Sequence, residues 1–307
     1  MLVTRLYPTT PYDFHLSSMF FAGGDPQIRT YEQGIFRQVL DIQGTEVLVE
    51  VFSKGTPDDQ ELNFTIQPDD ALTGNGKTEV GTLISSMFNI DEDLAPFYRA
   101  MEKDSITACL VGQLRGLKSP TTPTVFEALV DSVIEQQISL KAAHSIEKRL
   151  IRAVGRHLSL EDLVYYGYPT PRILAETPDP TFRSCGLTRR KGEYIRDVSR
   201  QVLSGAFDPE SFRTYTKTET IVSELMKIRG IGRWTAELTI LRGLHRPDAF
   251  PADDIGVRRF IARFYLNDKK ISSDEARSFA ERWGAWKGFA AYYLEIADLL
   301  GISPLVP

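Results

Sequence analysis

The chain has 307 residues, 42% of them hydrophobic and 25% charged, with a formal net charge of −5 and two cysteines. That length accommodates two or three domains with their own apolar cores, and the composition excludes both a disordered chain and a membrane-embedded one. Cys109 and Cys185 are too few for a disulfide framework, a four-thiolate zinc site or a four-cysteine iron–sulfur cluster.

No apolar stretch approaches the roughly 20 residues of a spanning helix, and M-L-V-T-R-L-Y-P at the N-terminus lacks a signal core. A soluble, cytoplasmic protein is therefore expected. The charge is uneven: residues 141–263 hold 22 Lys and Arg against 15 Asp and Glu, a local +7 that leaves −12 elsewhere. A basic middle fits one DNA-facing side, and it also fits an ordinary solvated surface.

In chain order, E-V-L-V-E-V-F (46–52) and L-N-F-T-I-Q (62–67) alternate with period two across a T-P-D-D loop (56–59), which predicts antiparallel strands. The turn-rich A-L-T-G-N-G-K-T (71–78) closes this part. From about Asp91 the apolar spacing becomes three and four. Residues 124–139 predict a helix with Phe126, Leu129, Val130 and Val133 on its core stripe. Y-P-T-P (168–171) breaks the pattern, and S-C-G-L-T-R-R-K-G-E-Y-I (184–195) reads as a glycine turn feeding a helix. T-K-T-E (216–219) has capping-box spacing, with Thr216 as the expected helix start. The fold class is α+β: an antiparallel domain over 1–95, then an all-α region over 96–307.

R-G-I-G-R-W (229–234) interrupts the helical pattern, because each glycine kept helical costs about 1 kcal/mol. A helix, a short glycine turn and a second helix ending at Gly243 are expected, a helix-hairpin-helix over about 218–243. Such a turn lets a phosphate approach the free amides of the second helix, although glycine turns also simply join helices. A loop over about 244–256 follows. Val257, Phe260, Ile261 and Phe264 predict a helix beginning just after Asp254, so Asp253 and Asp254 lie at its positive end. One of them is a cap. A second fixed anion beside a DNA-gripping turn is what cleavage of a glycosidic bond uses, because the sugar becomes positive as the base leaves.

I-R-G-I-G-R-W-T-A, L-R-G and F-P-A-D-D, together with P-Y-D-F, V-I-E-Q-Q-I-S and E-R-W-G-A-W, resemble the helix-hairpin-helix DNA glycosylases over nearly the whole chain. The resemblance is closest to the 3-methyladenine DNA glycosylase II branch. It implies a two-lobed helical region with the base pocket between its lobes. It further implies that Asp254 is the catalytic acid, with Asp253 left as the structural cap, and that Gly230, Gly232 and Thr235 face DNA. Arg233, Gln136, Ser139 and Arg258 are further expected DNA contacts. Gln137 falls at the family's wedge position, which fills the gap left by a flipped base. A monovalent cation, Na+ or K+, is expected on the carbonyls near Met226, Ile228 and Ile231, with no cofactor required.

Strand-cutting relatives carry a Schiff-base lysine at the position of Trp234, so a monofunctional enzyme is implied, with Trp234 and Phe20 lining the pocket. Two departures stand out: Leu238 replaces a tyrosine, and Glu295 replaces a tryptophan. Glu295 is accordingly expected to face the pocket and pair with a cationic base. The expected substrate is duplex DNA with an alkylated base, and the expected state is a monomer. The alternatives are a non-catalytic DNA-binding module and a glycosylase for oxidised or deaminated bases.

Overall fold

The computed structural model describes residues 3–303. Its N-terminal part runs through β1 (Thr4–Leu6), α1 (Phe14–Met19), β2 (Arg29–Glu32), β3 (Ile35–Ile42), β4 (Thr45–Lys54), β5 (Glu61–Gln67) and α2 (Gly74–Phe88). The strands form one antiparallel sheet in the order β1-β5-β4-β3-β2. Period two sets its buried face: Val49 pairs with Gln38 and Ile66, and Val51 with Phe36 and Phe64. Val80, Ile84, Met87 and Phe88 of α2 complete that core.

The helical region comprises α3 (Ala95–Met101), α4 (Ser105–Gln113), α5 (Val125–Glu135), α6 (Leu140–Val154), the strands β6 (His157–Leu160) and β7 (Leu163–Tyr166), then α7 (Pro171–Glu176), α8 (Asp179–Ser184) and α9 (Arg189–Leu203). After these come α10 (Thr218–Leu225), α11 (Arg233–Leu244), α12 (Ile255–Tyr265), α13 (Ser273–Ala280) and α14 (Lys287–Leu299). Two separate apolar cores divide it. One is built from residues between Phe126 and Ala249 and holds the hairpin. The other joins Leu94–Leu117 to Phe250–Ala297, chain that flanks the first lobe on both sides.

Helix α5 is buried on every side from Val125 to Ile134, so its predicted stripe is only part of its contact surface. The strands β6 and β7 lie inside the region expected to be all helical. They are held from outside: Gln27 donates through Nε2 to the Val164 carbonyl at 2.7 Å and accepts from the Tyr166 amide at 2.7 Å. Arg29 of β2 reaches Glu127 at 3.8 Å and Glu147 at 3.5 Å, fastening the sheet domain to α5 and α6.

Two expected helix ends are corrected. Thr216 is not the cap of α10: the helix begins at Thr218 after an extended Lys217 that makes no side-chain cap. The Thr218 hydroxyl instead donates to Asp248 at 2.6 Å, tying α10 to the loop after α11. Gly243 does not stop α11, which continues to Leu244 and ends at the left-handed His245. Its role is a close crossing, since a Cβ there would stand 3.0 Å from Ala128 Cβ and 3.1 Å from Val125 Cα.

Candidate active site

The turn between α10 and α11 needs glycine at Gly230 for two reasons. Its φ is +89°, and an added Cβ would come 2.4 Å from the Tyr194 ring of α9. Gly232 differs: with φ −94° and nothing within 4 Å of a built Cβ, it leaves the start of α11 open. The first amides of a helix have no intrahelical acceptor, and an uncovered helix start with its positive end outward suits a phosphate.

Three residues expected to face DNA use their side chains inside the protein. Thr235 is buried, and its hydroxyl accepts from Gln136 Nε2 at 3.0 Å; the same Nε2 donates to the Gly230 carbonyl at 2.9 Å. Arg233 pairs with Glu219 and, at 3.3 Å, with Glu237, which Arg277 also contacts at 2.9 Å. A turn that must keep its shape holds itself with these groups, and the open helix start is backbone.

The loop after α11 is fastened at several points before it reaches the aspartates. His245 Nε2 lies 2.6 Å from Glu92 Oε2, the Pro247 carbonyl accepts from the Gly288 amide at 2.7 Å, and the Asp254 amide donates to the Pro251 carbonyl at 2.9 Å. Asp254 itself caps α12: its Oδ1 accepts from the amides of Gly256 at 2.7 Å and Val257 at 3.1 Å. Asp253 is exposed and is not the cap, contrary to expectation. The second oxygen, Oδ2, accepts from Trp234 Nε1 at 3.0 Å. Three N–H donors thus fix a carboxylate whose remaining lone pair is free for chemistry.

Trp234, Leu238 and Arg242 stand four residues apart on α11, so they form one stripe along it. Arg242 pairs with Glu135 of α5. Glu295 of α14 is half-buried, and its electrostatic neighbours are Arg242, Asp254, Glu135 and Arg259. Burial, chiefly, pushes its carboxyl up to about 7; Arg242 opposes this, and Asp254 and Glu135 add to it. Phe20, at the end of α1, packs half-buried against the lobe of α12 and α14. Leu238 is buried.

Gln137 is exposed in a left-handed conformation, φ +58°, at the turn between α5 and α6. Ser139, beside it, caps α6 by accepting from the Ala142 amide at 3.3 Å. Arg258 is half-buried in the first turns of α12, and its Nε has no hydrogen-bond partner among the described residues. The Ile228 carbonyl accepts from the Ile231 amide at 3.1 Å, whereas the carbonyls of Met226 and Ile231 accept nothing among the described residues.

Sequence reasoning missed Arg242, Glu135, Lys191 and Tyr194. Arg242 carried a usable signal, its spacing of four from Leu238; the others contribute through contacts made by distant parts of the chain.

A glycine-turn hairpin with an open helix start, followed by an aspartate that caps the next helix, fits the helix-hairpin-helix DNA glycosylases that the sequence resembles. The sequence model of HhH-GPD superfamily base excision DNA repair proteins matches residues 130–285, and the chain belongs to this family. A DNA-3-methyladenine glycosylase of Bacillus subtilis (strain 168) is 31% identical over 218 residues, 71% of this chain and 72% of its own. The structure of 3-methyladenine DNA-glycosylase from Archaeoglobus fulgidus matches with a TM-score of 0.85 at 25% identity, covering 97% of this chain and 98% of that one. The Schizosaccharomyces pombe 3-methyladenine DNA glycosylase, solved in complex with abasic DNA, matches with a TM-score of 0.57 at 25% identity over 68% of this chain and 98% of its own.

Proposed function

We propose that the protein is a monofunctional glycosylase that flips alkylated bases of the 3-methyladenine type out of duplex DNA and hydrolyses their N-glycosidic bond. The hydrogen bond from Trp234 Nε1 to Asp254 Oδ2, 3.0 Å long, carries this reading. It places an indole, not an amine, against the acid, so this position supplies no amine for a Schiff base with the sugar. As the glycosidic bond breaks, its electron pair leaves with the base and the sugar becomes oxocarbenium-like. The Asp254 carboxylate stabilises that charge. Water then bonds to the anomeric carbon and gives its proton to Asp254 and on to solvent. A cationic alkylated base departs neutral without protonation, so one carboxylate suffices. The Trp234 face adds cation–π attraction of about 0.5–2 kcal/mol for such a base.

On the DNA side, the open start of α11 at Gly232 holds a backbone phosphate, and the exposed Gln137 fills the gap in the stack. The hairpin carbonyls suit a Na+ or K+ ion: those of Met226 and Ile231 accept nothing among the described residues and that of Ile228 has a lone pair to spare. Such an ion would add positive charge to the phosphate grip. The enzyme works as a monomer on damaged duplex DNA in the cytoplasm.

Base release from duplexes carrying 3-methyladenine, 7-methylguanine or hypoxanthine, scored with and without alkali, tests this function. The expected result is free base and strand breaks that appear only after alkali. Borohydride trapping of a covalent DNA adduct would overturn the monofunctional reading, and binding without base release would leave a DNA-binding module.

Glu295 gives a pH prediction. With its carboxyl titrating at about 7, the anion that attracts a cationic base is the form present above that pH. The groups facing it are Arg242 from α11, Glu135 from α5, Asp254 and Arg259 at α12, and its neighbour Tyr292 on α14. The kcat/KM for a cationic lesion should rise with pH through this region, and Glu295→Gln should flatten the rise. An unchanged profile in the variant removes Glu295 from the pocket.

A further inference from the structure

Helix α9 grips both of the parts that would engage DNA. Lys191, in its first turn, is buried, and its ammonium donates to the carbonyls of Ile134 at 2.7 Å and Gln136 at 2.6 Å, at the C-terminal end of α5. Three residues on, and so on the same face, Tyr194 fills the space that a side chain at Gly230 would need. The Arg229 guanidinium lies 5.4 Å from the Tyr194 ring centroid and pairs with Glu193 at 3.2 Å and Asp197 at 3.1 Å. Gln136 closes the triangle by donating to the Gly230 carbonyl and the Thr235 hydroxyl. Immediately after Gln136 comes the exposed, left-handed Gln137.

Burying an ammonium is unfavourable unless its donors are satisfied, and here two carbonyls take two of the three. A helix end by itself needs no such group, since a glycine turn closes it at less expense. An ammonium brought from another helix does something that a local cap does not: it fixes the position of the α5 terminus relative to α9, and α9 also abuts the hairpin turn.

We propose that Lys191 and Gln136 are positioning residues for base flipping, holding the turn that presents Gln137 in fixed register with the phosphate-gripping hairpin. Clamp and wedge then dock on DNA as one rigid piece, so the grip on the backbone delivers Gln137 to the base stack without a separate ordering step. The inference rests on the reading of Gln137 as the wedge.

Single-turnover excision of one lesion from two duplexes tests it. In the first the lesion has a paired complement; in the second it stands opposite a base-free spacer, where unpairing costs less. Gln137→Ala tests the wedge, and Lys191→Met and Gln136→Met test the register. All three should lose about ten-fold or more on the paired duplex and stay within about three-fold of the unaltered enzyme on the spacer duplex. Thermal unfolding of the two Met variants checks that the rates come from folded protein. Gln136→Met removes its tie without leaving a charge or a helix end unpaired, so it reports even where Lys191→Met unfolds. Equal loss on both duplexes, or on neither, for Gln136→Met and any folded Lys191→Met while Gln137→Ala keeps its selective loss overturns the register and leaves the wedge standing. Loss of selectivity in Gln137→Ala itself overturns the wedge reading and the register with it.

Discussion

Asp254→Asn is expected to reduce base release by at least about a thousand-fold while DNA binding persists. The substitution is nearly isosteric, so its Oδ1 still accepts from the Gly256 and Val257 amides and α12 keeps its cap. The negative charge is gone, however, and the amide nitrogen stands where Oδ2 accepted from the Trp234 indole. Two donors then face each other. Leaving the indole N–H unpaired lowers stability by about 1–3 kcal/mol, which is far from the loss that would unfold a protein of this size. Fluorescence anisotropy with lesion-bearing duplex should therefore report near-normal affinity alongside absent turnover. Asp253→Asn, at an exposed position outside the cap, should leave the rate within about two-fold. Turnover by Asp254→Asn, or its loss in Asp253→Asn, would refute the assignment of the acid.

Gly230→Ala is expected to abolish binding by dismantling the hairpin. The new Cβ meets the Tyr194 ring at 2.4 Å, and the φ of +89° is unfavourable for any L side chain. Strain and overpacking together should lower stability by about 2–4 kcal/mol, measurable by urea unfolding. Gly232→Ala is the informative partner. With φ −94° and open space around its Cβ, it should change stability by less than about 0.5 kcal/mol. Its added methyl nevertheless stands at the open helix start, so DNA affinity should fall without unfolding. Unchanged affinity in Gly232→Ala would mean that the open end of α11 does not receive a phosphate.

The strands at 46–52 and 62–67 were legible because their apolar residues alternate with polar ones, even though Asn63 and Thr65 are buried as well, and α12 because its core stripe repeats at three and four. The glycine turn was legible because two closely spaced glycines weaken a helix, although Gly74 and Gly76 at the start of α2 have the same spacing and stay helical. The strands β6 and β7 were not, since H-L-S-L and L-V-Y-Y are too short to pair unaided and depend on Gln27, 137 residues before Val164. Gly243 and Gly230 look alike in sequence, yet one permits two helices to cross and the other permits a left-handed turn. In the candidate site, the spacing of F-P-A-D-D placed both aspartates at a helix start. The spacing did not say which of them caps: Asp254 does, and its second oxygen accepts from the indole of Trp234, twenty residues earlier.

The lobe that backs Asp254 is assembled from chain on both sides of the hairpin lobe, and Tyr293 of α14 donates to the Leu117 carbonyl at 2.7 Å to close it. During synthesis, the hairpin lobe is therefore complete on the ribosome before the segment carrying α14 has emerged. A chain cut short within α13 or at the start of α14 would keep the apolar residues of the hairpin lobe and Asp254, but would lose Tyr293 and the other α14 side chains that complete the lobe behind that aspartate.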